Sequence, residues 1–118
     1  MEVKPTPPRD ARNRYLNKKQ THVTEKTIYN YDTALKRFIE FLDSEGTADM
    51  RDVTSDTIAR FEEWRLDSVK PITARNDMRT IKNFIQYCES IQAVPRGLHE
   101  LIQITKVKEE DEICDDVL

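Results

Sequence analysis

Residues 22–42, HVTEKTIYNYDTALKRFIEFL, decide the fold. Ile28, Tyr31, Leu35, Phe38, Ile39 and Leu42 recur at helical spacing and share one face. Thr24 precedes the run as an N-cap, and Glu25 suits the positive end of a helix dipole. Val23 can staple onto Ile28 across the first turn. Gly46 supplies the stop. The pattern predicts one helix over residues 24–45, about six turns long.

Upstream, Pro5, Pro7 and Pro8 cannot continue a helix, and residues 1–8 read as an extended, mobile leader. Residues 9–20 are basic and polar around Tyr15 and Leu16, consistent with a short helix. Downstream, residues 46–53 read as a loop. Thr54 then caps a helix with Asp56 in its first turn, Ile58, Phe61 and Trp64 as its buried side, and an end near Asp67 or Ser68.

Pro71 marks another helix start, where a missing N–H costs nothing. Ala74, Met78, Ile81, Ile85 and Cys88 form a second apolar stripe, broadened by Phe84 and Ile91, that reaches about Ser90. Pro95 and Gly97 break the chain, and residues 98–102 suggest one or two further turns. Residues 106–118 are acidic and weakly patterned, as in a linker. No alternating strand pattern occurs. The expected architecture is all-α: a small bundle of four main helices plus a short fifth.

At 118 residues, with 37% hydrophobic and 35% charged, the chain suits one domain with a modest core. It has neither the roughly 18 consecutive apolar residues of a membrane span nor a signal-peptide stretch, so a cytoplasmic protein is expected. Cys88 falls in the apolar stripe and reads as a small core residue, whereas Cys114 sits in the acidic tail. There is no paired CxxC, and His22 and His99 lack ligand spacing, so neither metal, cofactor nor disulfide is expected.

The net charge of −3 argues weakly against nucleic acid, but the distribution matters more. Residues 1–40 carry 9 basic and 5 acidic side chains, and residues 70–99 carry 5 and 2. Between them, residues 41–69 carry 3 basic and 8 acidic, and residues 100–118 carry 2 and 7. The basic excess therefore lies in two separate blocks.

Opposite the apolar stripes, Lys26, Asn30, Thr33 and Arg37 line the outward face of the helix at 24–45. On the helix at 71–90, Arg75, Arg79, Lys82 and Gln86 align, with Asn76 and Asn83 beside them and Asp77 toward the buried side. Cations neutralise phosphates and release condensed counterions. Arg, Asn and Gln also reach base edges in a major groove wide enough for a helix. A merely solvated face, or a face for an acidic protein partner, explains the same stripe. No Gly-rich phosphate loop, nucleophile elbow or metal-binding helix motif appears, and Glu62-Glu63 reads as a solvated pair, so the chain is not expected to be an enzyme.

The string His22 to Ile28, followed by Tyr31, Leu35, Phe38 and Phe41-Leu42, resembles the opening of the SAM-like core-binding domain of tyrosine recombinases (phage integrases). Thr73, Ile81-Lys82 and Phe84 resemble that family's DNA-facing helix, and Val53-Thr54 resembles the start of the intervening one. The likeness spans roughly residues 9–105, and residues 115–118 resemble the chain just before the family's catalytic domain. Two features depart from the pattern. Val69-Lys70-Pro71 stands where a flexible Gly/Ser turn is usual, and the acidic stretch 41–69 must face away from DNA.

The resemblance implies a domain that clamps duplex DNA for integration and recombination, together with a separate catalytic domain and other recombinase protomers. The catalytic domain would supply the Arg-Lys-His-Arg-type set and the nucleophilic tyrosine, and no high-energy cofactor would be needed. None of those positions matches here. Tyr31 reads as core, and Tyr15, Tyr29 and Tyr87 as surface or edge-packing residues. By resemblance, Thr27 lies near phosphate, and Thr73, Arg75 and Lys82 lie on the DNA-facing helix. Helical geometry adds Lys26, Asn30, Arg37, Asn76, Arg79 and Gln86. The isolated domain is expected to be a monomer. The competing reading is a helical protein-interaction domain with an exposed apolar patch built on Phe41, Trp64 and Leu66.

Overall fold

The computed structural model describes residues 3–104. Four α-helices follow in order: α1 (Pro8–Lys19), α2 (Glu25–Ser44), α3 (Ser55–Ser68) and α4 (Pro71–Ser90). Short 3-10 turns occupy Met50–Asp52 and Leu98–Leu101. No strand occurs among the described residues, so the all-α expectation holds. The expected fifth helix is a 3-10 turn, and part of the expected 46–53 loop is another. Cys114 and the acidic segment 106–118 lie outside the described residues.

The helix ends follow from local chemistry. The Thr24 hydroxyl accepts the Thr27 N–H (3.2 Å) at the start of α2. At its end, Gly46 takes φ +74°, its N–H reaches the Asp43 carbonyl (3.1 Å), and the Thr47 N–H reaches Leu42 (2.9 Å). That is a Schellman motif, which needs the left-handed conformation at Gly46. Thr54 and Thr57 form a reciprocal capping box on α3. Proline starts both α1 and α4.

The core is a chain of aromatic rings crossing all four helices. Tyr15 of α1 meets Tyr31 of α2 (centroids 6.0 Å apart) and Phe84 of α4 (5.5 Å). Phe84 meets Phe38 of α2 (6.5 Å), which meets Phe61 of α3 edge-on (5.1 Å). Leu35, Leu42, Met50, Ile58, Met78, Ile81 and Ile85 fill the space around these rings. Each such buried side chain contributes about 1.5–3 kcal/mol. Arg65 Nε donates to Asp77 Oδ2 (2.9 Å) in a largely buried pair joining α3 to α4. Cys88 is a core residue, and burial pushes its thiol well above the ordinary range.

Three expectations are corrected. Tyr15 is not an edge residue: it is 1% exposed, and burial, then Tyr31 and Cys88, push its hydroxyl up to about 12. Residues 3–8 are not a mobile leader. The Lys4 N–H donates to the Gln92 carbonyl (2.7 Å), and the Thr6 carbonyl accepts from the Met50 N–H (2.9 Å). An extended proline-rich segment has no hydrogen-bond ladder of its own, and here it satisfies backbone groups orphaned at two turns. Finally, Phe41 does not belong to the expected exposed apolar patch, of which only Trp64 and Leu66 are exposed, 37% each. Phe41 is 5% exposed, and Trp64, 37% exposed, packs on Phe41 and Phe61 (5.7 and 5.9 Å). Leu66, two positions from Trp64, lies on a different face of α3.

Candidate nucleic-acid interface

Two helices carry the expected site. The apolar faces of α2 and α4 turn inward through Phe38 and Phe84, which leaves the polar faces outward. On α2, Lys26 and Asn30 are exposed. Thr27 is half-buried, and its hydroxyl shares a hydrogen bond with that of Thr24 (3.0 Å). If Thr24 donates, the Thr27 proton stays available to an outside acceptor. Thr33 is turned back on its own helix, donating to the Tyr29 carbonyl (2.9 Å). Arg37 pairs with Glu40 one turn on.

On α4, Thr73, Asn76, Arg79 and Gln86 are exposed, and Arg75 and Lys82 are half-buried. Arg75, Arg79, Lys82 and Gln86 lie along one strip of the helix, as their spacing requires. Asp77 points away from it, into the pair with Arg65. This helix therefore presents the row that the sequence led one to expect. The α2 row is weakened by the engagement of Thr33 and Arg37.

The arginines sort into two populations. Arg9 pairs with Asp43 (2.9 Å), Arg12 with Asp32 (3.6 Å), Arg51 with Asp49 (3.7 Å), and Arg60 with both Glu45 and Asp56. Much of the negative charge of residues 41–69 is thus matched within the molecule. Among the described residues, Lys26, Arg79 and Lys82 have no carboxylate partner, and neither do Lys4, Arg14, Lys36, Lys70 and Arg96 outside the two rows.

Sequence reasoning missed two cations. Lys18 and Lys19, in the last turn of α1, lie against the C-terminal half of α4. Lys18 Nζ sits 5.4 Å from the Tyr87 ring centroid, and Lys19 Nζ sits 5.7 Å from that of Tyr15. The signal was faint: both belong to a basic stretch, but only the burial of Tyr15 aligns that stretch with α4.

No group of three or more His, Cys, Asp or Glu side chains that could hold a metal occurs among the described residues. Nor is any described helix long and apolar enough to cross a membrane.

The class defined by this geometry is an all-α bundle with two polar helix faces turned outward. Residues 10–99 match the family model of the phage integrase SAM-like domain. The chain belongs to that family, which is the one its sequence resembles, and its role is recombinase-associated. It is also similar to the N-terminal domain of a phage integrase/site-specific recombinase from Haloarcula marismortui. The TM-score is 0.83 at 30% identity, over 86% of this chain and 99% of that one. No curated protein matches. The matches concern the SAM-like domain, and no catalytic domain is among them.

Proposed function

We propose that this domain grips duplex DNA for a site-specific recombinase, with α4 as the principal contact and the N-terminal half of α2 as the second. The observation that carries the reading is the sorting of charge. Six arginines are held by carboxylates of the same chain, whereas Arg79, Lys82 and Lys26 are left without one among the described residues. Unpaired cations beside exposed amides suit a polyanion whose bases also offer hydrogen-bonding edges. Lys26, Arg79 and Lys82 serve as phosphate contacts. Asn30, Asn76 and Gln86 are placed to reach base edges or sugar-phosphate, and Thr73 and Arg75 extend the α4 row toward its start. Strand cleavage belongs to a separate recombinase catalytic domain, and assembly on DNA involves further recombinase protomers.

The competing protein-interaction reading loses Phe41 to the core and keeps Trp64 and Leu66 as its exposed apolar residues. Fluorescence anisotropy with a labelled duplex at low salt tests the proposal. Arg79→Ala with Lys82→Ala is expected to weaken binding and lower the salt slope by about 1.8, or about 0.9 for each phosphate that is no longer neutralised. Binding with unchanged affinity and slope in that variant would remove α4 from the interface.

A further inference from the structure

The molecule offers one more cationic surface, on an element that the proposed interface does not use. A groove of about 280 Å³ runs between the C-terminal end of α1 and the C-terminal half of α4. Lys18 and Lys19 line it from α1, Asn83 and Gln86 from α4, and Tyr15 and Tyr87 form its floor. Among the described residues, no carboxylate lines it.

We infer that this groove is a second seat for the phosphodiester backbone, extending the DNA footprint from α4 onto α1. The inference rests on the reading that α4 faces DNA, since Gln86 belongs both to the α4 row and to the groove wall.

Three observations carry it. First, the two ammonium groups rest near ring faces at 5.4 and 5.7 Å, within cation–π range. They are partly ordered before any ligand arrives, which reduces the entropy cost of binding. Second, neither lysine has a carboxylate partner among the described residues, although six arginines of the molecule do. Third, the side-chain amides of Asn83 and Gln86 are exposed donors on the facing wall, and phosphate oxygens accept from such groups. Cations on one wall and neutral donors on the other fit an anion that lies along the groove.

Lys18→Gln with Lys19→Gln keeps much of the aliphatic stems and removes both charges. In the same duplex titration this variant is expected to bind several-fold more weakly at low salt, with a salt slope lower by about 1.8. Arg51→Gln with Arg60→Gln removes equal charge from ion-paired positions that do not line the groove and is expected to leave the slope unchanged. An unchanged slope in the lysine variant, or an equal fall in the arginine variant, overturns the groove while leaving α4 as the contact. Failure of the unaltered domain to bind any duplex overturns the parent reading as well. Amide shifts of Lys18 and Lys19 during titration of the unaltered domain give the same answer without a variant: shifts there support the groove, and their absence beside shifts at Arg79 and Lys82 removes it.

Discussion

Gln92 holds a backbone conformation that L-residues avoid. At φ +64° it closes α4 with the same pair of bonds that Gly46 makes for α2: its N–H to Glu89 (3.1 Å) and the Ala93 N–H to Cys88 (2.8 Å). A left-handed L-residue costs about 1–2 kcal/mol, and glycine forfeits part of that gain through unfolded-state entropy. Gln92→Gly is therefore expected to raise stability by about 0.5–1 kcal/mol, read as a higher melting temperature. A lower one would mean that the Gln92 side chain contributes something its backbone does not. Nearby, the Glu89 carboxylate accepts from the Gly97 N–H (3.0 Å), the His99 N–H (2.8 Å) and His99 Nδ1 (2.6 Å), which fastens the 98–101 turn to α4. Burial pushes this carboxyl up, but the hydrogen bonds from His99 and Gly97 outweigh it and hold it below its ordinary value. A depressed carboxyl stabilises the fold above its unfolded value, and that contribution disappears as pH falls through the folded one. Urea unfolding should show Glu89→Gln less stable by about 1–3 kcal/mol at neutral pH, with the gap narrowing in acid. A gap independent of pH would contradict the clamp.

Element by element, legibility tracked the strength of the periodic signal. The helices α2 and α4 are legible almost to the residue, because each carries a long apolar stripe behind a clear start, and Gly46 also marks the end of α2. The start of the third helix is legible in Thr54, and its capping box with Thr57 bears this out. Thr54→Ala should cost about 1 kcal/mol, measured by chemical denaturation, because it leaves the first-turn donors short of an acceptor. No loss would mean that packing of Ile58 and Phe61 holds α3 without its cap. The first helix carries the faintest periodic signal. Its buried residues are Pro8, Ala11 and Tyr15, set among charged neighbours, and nothing local shows that Tyr15 is enclosed. Enclosure comes from Tyr31, Phe84 and Tyr87, all distant in sequence. The same limit hid Lys18 and Lys19. Trp64 continues the Ile58–Phe61 stripe in spacing, and its ring packs on Phe41 and Phe61 while staying 37% exposed, because it stands at the margin of that stripe.

At the scale of the molecule, aromatic packing orients the helices and charge is segregated around them. The Tyr31–Tyr15–Phe84–Phe38–Phe61 series ties α1, α2, α3 and α4 into one core, so both polar faces are fixed relative to each other. The net charge of −3 hid this arrangement, because most carboxylates of residues 41–69 that pair do so with arginines of the same chain. The central claim is that the faces of α2 and α4 meet duplex DNA, and NMR titration of the isotope-labelled domain with a short duplex tests it most directly. At low salt, amide shifts should concentrate in residues 24–37 and 73–86 and should fade as salt is raised. An absence of shifts at low salt, or shifts confined to residues 58–68 of α3, would contradict it.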